Sequence, residues 1–492
     1  MTSTTFPAAK LLPTQRIELA IQAIKGSVNI SHLASENKVS RKFVYQQKNR
    51  ALEAITDAFA PNAADDEVLF YLPVTKAWLR QVVLALTLIC RSSYRGVVEF
   101  MRDILGVPIS LGSVHNLNQL AAQRAGDINS TQDLSQIRVG LHDEIFHCNE
   151  PVLVGVDAHS TYCYLLSSAQ HRDADTWAIH LMYACDQGFN PDYLVADQGT
   201  GLRAGQIIVW KDKPCHGDVF HMLQQCESLA NVLASVAQGT TTRCQDLGLK
   251  MDAAKADRVG RKFARQLGKA RQAEVQTAQL AKDIKTLTQW LNRDVLELAG
   301  PCLAIRLELY NFVTDEVRAR EHLDKKRIGK VRVALQNQRD DLLAFAGVLD
   351  SKLEAIAQTH TLPMALVRQA CVLQRKPDTS QAYWHGWSEL CSQMGHKCHA
   401  VFEAVMQAMA ETPRCSSMVE NLNSRLRNYF TLRRQLGGEY LGLLQFFLNH
   451  RTFLRSRVAQ REGKSPKQLM TGESHPHWLT LLGFGLPQPL RP

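Results

Sequence analysis

Apolar residues recur at three- and four-residue intervals over most of the chain, but between Ile137 and Ala196 they bunch into short runs. The first spacing predicts amphipathic helices and the second buried strands. Residues 13–58 read as three helices. Ile17, Ala20, Ile21 and Ile24 share a face of the first, and Gly26 stops it. Ile30, Leu33 and Ala34 mark a short second helix. Ser40 caps a third that carries Arg41, Lys42, Tyr45, Gln46, Lys48, Asn49 and Arg50. A short helix, a tight connection and a polar, basic helix form the helix-turn-helix layout, whose last helix enters the major groove. A three-helix bundle with a solvated face has the same pattern. The composition at 60–67 is that of a linker. Helices follow at 75–90, at 93–105 and after Ser110, as a second helix-turn-helix or a packing unit.

The runs between 137 and 221 predict an α/β unit. Strands are expected at 137–141 running into Asp143, at 152–156 and at 162–166, with turns at 149–151 and 157–160. Trp177, Ala178, Leu181, Met182 and Cys185 predict a helix over 174–187. A fourth strand, 193–196, ends at Asp197. The order is β-β-β-α-β, and both ends of the unit deliver an aspartate. Two carboxylates at the ends of buried strands suggest a metal-dependent phosphoryl-transfer site. A glycine-rich stretch, 199–205, leads to a short helix or strand ending at Trp210. From 222 to 409 the helical spacing returns almost unbroken, so this block reads as an insertion into the α/β unit. The unit resumes with a helix over 416–434 carrying Glu420, a second over 440–453, a basic segment with Arg451, Arg455, Arg457 and Arg461, and a short helix after Lys464.

Composition narrows the class. The chain has 492 residues, 45% hydrophobic and 21% charged, as expected of a globular protein of several domains. No apolar stretch is long enough to predict a membrane helix, and the N-terminus lacks a signal-peptide layout, so a cytoplasmic location is expected. The net charge of +10 favours a polyanionic partner. The 12 cysteines, without CxxC pairs, are expected to be free thiols. Neither Cys215, His216, His221 and Cys226 nor Cys391, Cys398 and His399 has the spacing of a familiar zinc finger. Arg258, Lys262, Arg265 and Lys269 fall on one helical face, as a phosphate-binding stripe or a solvated charged face. Trp384 and Trp387 are expected in a core.

Asp143-Glu144, Asp197-Gln198-Gly199, the run from Asp218 to His221 and the run from Ser416 to Asn423 together resemble the DDE transposases of bacterial insertion sequences. The strand order and the three carboxylates are the parts of a ribonuclease-H-like core. Asp218 and His221 look like the C/D-x-x-H signature of members with a helical insertion. The tail, Gly463-Lys464-Ser465-Pro466, is also similar. The resemblance spans roughly residues 135 to 475. It implies catalytic and metal-binding roles for Asp143, Asp197 and Glu420, two Mg²⁺ or Mn²⁺ ions, and DNA cleavage by water followed by strand transfer from the 3′-hydroxyl. It implies a structural or strand-handling role for Asp218 and His221; a capping aspartate and a buried histidine fit the same spacing. Double-stranded DNA at element ends and target, and a homodimer or higher oligomer, are the implied partners.

Asp157 rivals Asp143 as first aspartate. Starting from Asp157 leaves only 188–192 for the helix before Asp197, which is too short. Asp143 is therefore preferred, with Asp157 a turn residue. Glu144 faces the other way if the strand continues. Glu411 and Glu439 are the rivals of Glu420. The expected domains are a helix-turn-helix unit at 1–60, a second helical unit at 68–134, the core at 135–221 and 411–492, and the helical insertion at 222–410. Arg41, Lys42, Gln46, Lys48 and the stripe from Arg258 to Lys269 are the candidate DNA-binding residues. The expected function is a transposase, a related nuclease that cuts without joining, or a non-catalytic DNA-binding regulator.

Overall fold

Helices begin where the sequence supplies a cap. In the computed structural model Pro13 opens α1 (Pro13–Lys25), and Gly26, with φ of 66°, closes it in the left-handed conformation. Asn29 accepts from the Ser31 amide ahead of α2 (Ile30–Glu36), and Ser40 Oγ accepts from the Phe43 amide at 3.2 Å ahead of α3 (Arg41–Phe59). The structure describes residues 11–59, 73–254, 258–433, 436–456 and 458–485, without the side chains of Asp57, Arg258 and Val259. The linker at 60–67, Arg434, Arg457 and the Arg258 side chain lie outside the described residues. Two compact units form, Met1–Val74 and Thr75–Pro492. In the first, Leu19, Ala23, Leu33, Ala34 and Val44 make the core, while Ile17 and Ile21 are exposed. The expected apolar face of α1 is thus rotated, because the small Ala20 and Ala23 let α3 approach on their side.

The second unit opens with α4 (Lys76–Leu88), α5 (Tyr94–Asp103) and α6 (Leu111–Ser130), each capped by a Ser or Thr side chain from Thr75, Ser93 and Ser110. Leu84, Leu88, Ala121, Ala122 and Ala125 share one core with the sheet that follows. The sheet unit runs β1 (Val139–His147), β2 (Glu150–Asp157), β3 (Cys163–Ser168), α7 (Ala174–Asp186), β4 (Tyr193–Ala196), α8 (Thr200–Val209) and β5 (Cys215–Gly217). The strand order is β3-β2-β1-β4-β5, with β2 antiparallel to β1 and β3, and with β4 parallel to β1 and β5.

Three local expectations change. β1 continues to His147, so Asp143 sits inside a strand rather than at its end. The hairpin turns at Cys148 and Asn149, both with positive φ, and Glu150 already pairs with His147; two such residues match the twist of the flanking strands. Cys215–Gly217, with no apolar run to announce it, adds a fifth strand.

The helical block comprises α9 (Val219–Ala253), α10 (Arg258–Trp290), a π-helical turn (Leu291–Val295), α11 (Leu303–Arg320), α12 (Lys325–His360), α13 (Met364–Leu373), α14 (Gln381–Met394) and α15 (Cys398–Ala410). It has two apolar cores of its own. Cys391 and Cys398 form a disulfide across the α14–α15 connection, against the expectation of free thiols; the other ten cysteines are free. Trp387 packs on the second core, but Trp384 is exposed.

The chain then returns to the sheet with α16 (Ser417–Phe430), α17 (Gly438–His450), α18 (Pro466–Thr471) and α19 (Trp478–Leu481). Strand alternation divides the sheet. Leu141, Ile145, Val152, Val154 and Val156 face a core shared with α16 and α17, whereas Leu153, Tyr164 and Leu194 face Trp177, Leu181 and Leu202 of α7 and α8. Asn449 of α17 accepts from the Cys163 amide and donates to its carbonyl, both at 2.8 Å, and so fixes the β3 edge. Among the described residues no helix is long and apolar enough to cross a membrane.

Candidate metal centre

Asp143 occupies an inward position on β1 between Leu141 and Ile145, on the face covered by α16. Its neighbour Glu144 points to the opposite face, where it accepts from Trp177 Nε1 at 3.0 Å and pairs with Arg172 at 3.1 Å. β4 is parallel to β1 with Leu141 opposite Val195. Asp197 lies two residues beyond Val195, near enough to Asp143 for its charge to raise the Asp143 carboxyl. Asp197 follows the last residue of β4, and its carboxylate accepts from the Gly199 amide at 2.8 Å.

α16 brings the third carboxylate. Glu420 lies in its first turn. Asn423, one turn further on and 1% exposed, donates from Nδ2 to Asp143 Oδ2 at 2.8 Å. The Glu144 amide donates to Asp143 Oδ1 at 2.8 Å. The helix start is tied to α9: Asp218 caps α9 by accepting from the Phe220 amide, and its other oxygen accepts from the buried Ser416 hydroxyl. His221, on the first turn of α9, places Nε2 3.6 Å from both Asp218 Oδ2 and Glu420 Oε1. Asp143, His221 and Glu420 each offer a ligand atom, all within 4.8 Å of one another.

The electrostatics leave clustered carboxylates without a lysine or arginine partner among the described residues. Burial, reinforced by Glu420 and Asp197, pushes the Asp143 carboxyl up to about 7, against the opposing pull of the Glu144 amide and of His221. Among the described residues no lysine or arginine lies within ion-pairing distance of the carboxylates of Asp143, Asp197 or Glu420; His221 reaches Glu420. His221 Nε2 and Asn423 Oδ1 are buried and have no hydrogen-bond partner. Carboxylate oxygens, a free imidazole nitrogen and a deficit of positive charge fit a divalent ion.

Asp143, Glu420 and His221 thus form the tight group, and Asp197 adjoins it across the strand pair. Asp157 does not. It stands opposite Gly140, three residues along β1 from Asp143 or about 10 Å, and its carboxylate is taken by the Ser160 amide and hydroxyl. Asp157 and Glu411 both line a cavity of about 620 Å³ next to Val139 and Tyr193, the opening residues of β1 and β4, which contains none of the clustered groups. Asp218 is the cap that one reading of this pair expected, while His221 is only partly buried and lies beside Glu420.

On α3, Arg41, Lys42 and Gln46 are exposed and Lys48 half-buried; Lys262, Arg265 and Lys269 are exposed along α10. Asn423 was present in the sequence as a polar residue three after Glu420 in an otherwise apolar stripe; that spacing is the signal for its role. Arg203, which donates from Nε to the Asp197 carbonyl at 3.0 Å, had none. No protein-family model matches the chain, and no curated protein matches its sequence.

Proposed function

We propose that this protein is a DDE-type transposase that cleaves and joins DNA with divalent metal ions at Asp143, Asp197 and Glu420. The observation that carries the reading is the convergence of the buried Asp143 and the partly buried Glu420, from opposite sides of the helical block, with no lysine or arginine paired to either among the described residues. The mixed sheet, with β1 and β4 side by side and α16 across one face, supports a ribonuclease-H-like core. The three helices of the first unit support a helix-turn-helix that presents Arg41, Lys42 and Gln46 to DNA. Lys262, Arg265 and Lys269 would neutralise backbone phosphates along α10.

Bound divalent ions would supply Lewis acidity at the phosphodiester and lower the cost of forming a hydroxide nucleophile. The protein's own groups do the rest. Asp143, held by the Glu144 amide and Asn423, keeps its oxygens aimed into the centre. Glu420 closes the centre from α16. His221 lies between Asp218 and Glu420, where a free Nε2 can orient a water or a phosphate oxygen. Water as first nucleophile and a DNA 3′-hydroxyl as second need the same in-line arrangement, so one centre serves both steps.

The test is incubation of the purified chain with Mn²⁺ and a labelled duplex carrying the DNA that flanks its gene, together with a target plasmid. Cleaved ends and joined products are expected. Cleavage without joining would replace the proposal with a nuclease. Binding without cleavage would replace it with a DNA-binding regulator.

A further inference from the structure

Besides α9, the helical block reaches the sheet next to the centre through α12. Gly217, the last residue of β5, lies against α12 so closely that a Cβ there would meet Asp341 Cβ and the Leu342 amide nitrogen at 3.2 Å. A side chain there would force α12 back by a few tenths of an ångström, and the glycine lets Asp341 lie over the carboxyl ends of β4 and β5. Asp341 accepts from Arg203 Nη1 at 2.6 Å. Arg203, on the first turn of α8, is 19% exposed in its side chain and also donates from Nε to the Asp197 carbonyl at 3.0 Å. One planar guanidinium therefore bridges a carboxylate of the helical block and the backbone of the residue that brings the second aspartate to the centre. Among the described residues the Asp197 carboxylate itself is held by the Gly199 amide alone.

We propose that the helical block sets the geometry of the metal centre through α12, with Arg203 and Asp341 as positioning residues for Asp197. This rests on the proposed metal-binding role of Asp197. Neither residue touches the clustered Asp143, His221 and Glu420. Their effect is transmitted through the turn at 197–199. The fork geometry is what the bridge requires. Lysine keeps the charge but cannot present two donors at fixed angles to two separate acceptors. Residues that orient metal ligands from behind typically shift metal affinity by about 10–100-fold. The arrangement gives the block a part in assembling the centre: any movement of α12 relative to β5 displaces Asp341, and with it the support for Asp197.

The experiment is Mn²⁺ titration of the full chain, followed by electron paramagnetic resonance, with thermal unfolding measured in chelator as a control on folding. Asp341→Ala and Arg203→Lys are expected to weaken Mn²⁺ binding about tenfold or more, with the melting temperature in chelator close to that of the unaltered chain. Asp341→Glu, which restores an acceptor for the guanidinium, is expected to recover part of the loss. Should Asp341→Ala unfold, Arg203→Lys carries the test, since it keeps the charge and most of the side-chain volume. Unaltered Mn²⁺ affinity in folded variants, beside normal binding by the parent chain, would overturn this inference alone. No Mn²⁺ binding by the parent chain would overturn it together with the metal centre on which it rests.

Discussion

His142 and Asp143 are consecutive on β1, both buried, and face opposite sides of the sheet. On one side His142 is closed in by neutral partners: Tyr164 Oη at 2.6 Å from Nε2 and Gln206 Nε2 at 2.8 Å from Nδ1, with Trp177 and Phe189 around it. Burial pushes its imidazole down to about 3, so it stays neutral and serves as a structural hydrogen-bonding core. On the other side Asp143 has two N–H donors, two carboxylate neighbours and no cationic partner beyond a nearby imidazole. Burial pushes it the opposite way, towards a neutral acid. Burial alone therefore does not mark a site. What marks it is a buried charge whose partners are incomplete, and the contrast between the two faces yields measurable differences.

The largest effect is expected at the incomplete side. Glu420→Gln removes a carboxylate but keeps shape, and cleavage of labelled duplex is expected to fall on the order of 10³-fold or more. Next is Asn423→Ala, which frees one Asp143 oxygen; a loss of about 10–100-fold in Mn²⁺ affinity is expected by calorimetry. On the closed side the cost lies in folding. His142→Ala leaves Tyr164 and Gln206 without their partner and opens a cavity, for about 2–4 kcal/mol in denaturant unfolding, while Mn²⁺ affinity of the folded chain should not change. A loss of metal binding in that variant would break the comparison.

The pH dependence sharpens the contrast, because the two residues have opposite signs. The folded value of His142 lies below its unfolded value of about 6.5, so its contribution to stability is complete above that and is lost as pH falls towards about 3. The folded value of Asp143 lies above its unfolded value, so its contribution is complete below about 4 and is lost as pH rises through about 7. Unfolding in chelator from pH 4 to 8 should show Asp143→Asn gaining on the parent chain as pH rises. Saturating Mn²⁺ should cancel that gain, since the ion stabilises only the ionised parent. The smallest effect is in temperature: at pH 8 in chelator, Asp143→Asn is expected to melt a few degrees higher. A lower melting temperature there would mean that the carboxylate is already satisfied.

Much of this arrangement was legible from the sequence, and the failures have physical causes. The short apolar runs located β2, β3 and β4, and helix length between Asp157 and Asp197 sufficed to prefer Asp143. Caps at Thr75, Ser93, Ser110 and Ser465 were read or readable from residue type. β5 escaped because its three residues, Cys215, His216 and Gly217, gain strand geometry from pairing with β4 rather than from their own composition. The turn expected at 149–151 lies at Cys148 and Asn149 instead, because the fixed φ of Pro151 suits the opening of a strand as well as a turn. A polar Asn423 in the apolar stripe of α16 marks the position but not its distant partner Asp143, and Arg203, whose partner is Asp341, carries no local signal. The disulfide between Cys391 and Cys398 likewise depends on the α14–α15 connection, which brings the two thiols together.

The central claim is that the Asp143 side of β1 is a cation site. A crystal of the full chain grown with Mn²⁺, measured at the manganese absorption edge, tests it directly. An anomalous peak is expected between the carboxylates of Asp143, Asp197 and Glu420, with His221 and Asn423 at its margin. A peak at Asp157, or no peak at Asp143 in crystals saturated with the ion, would contradict it.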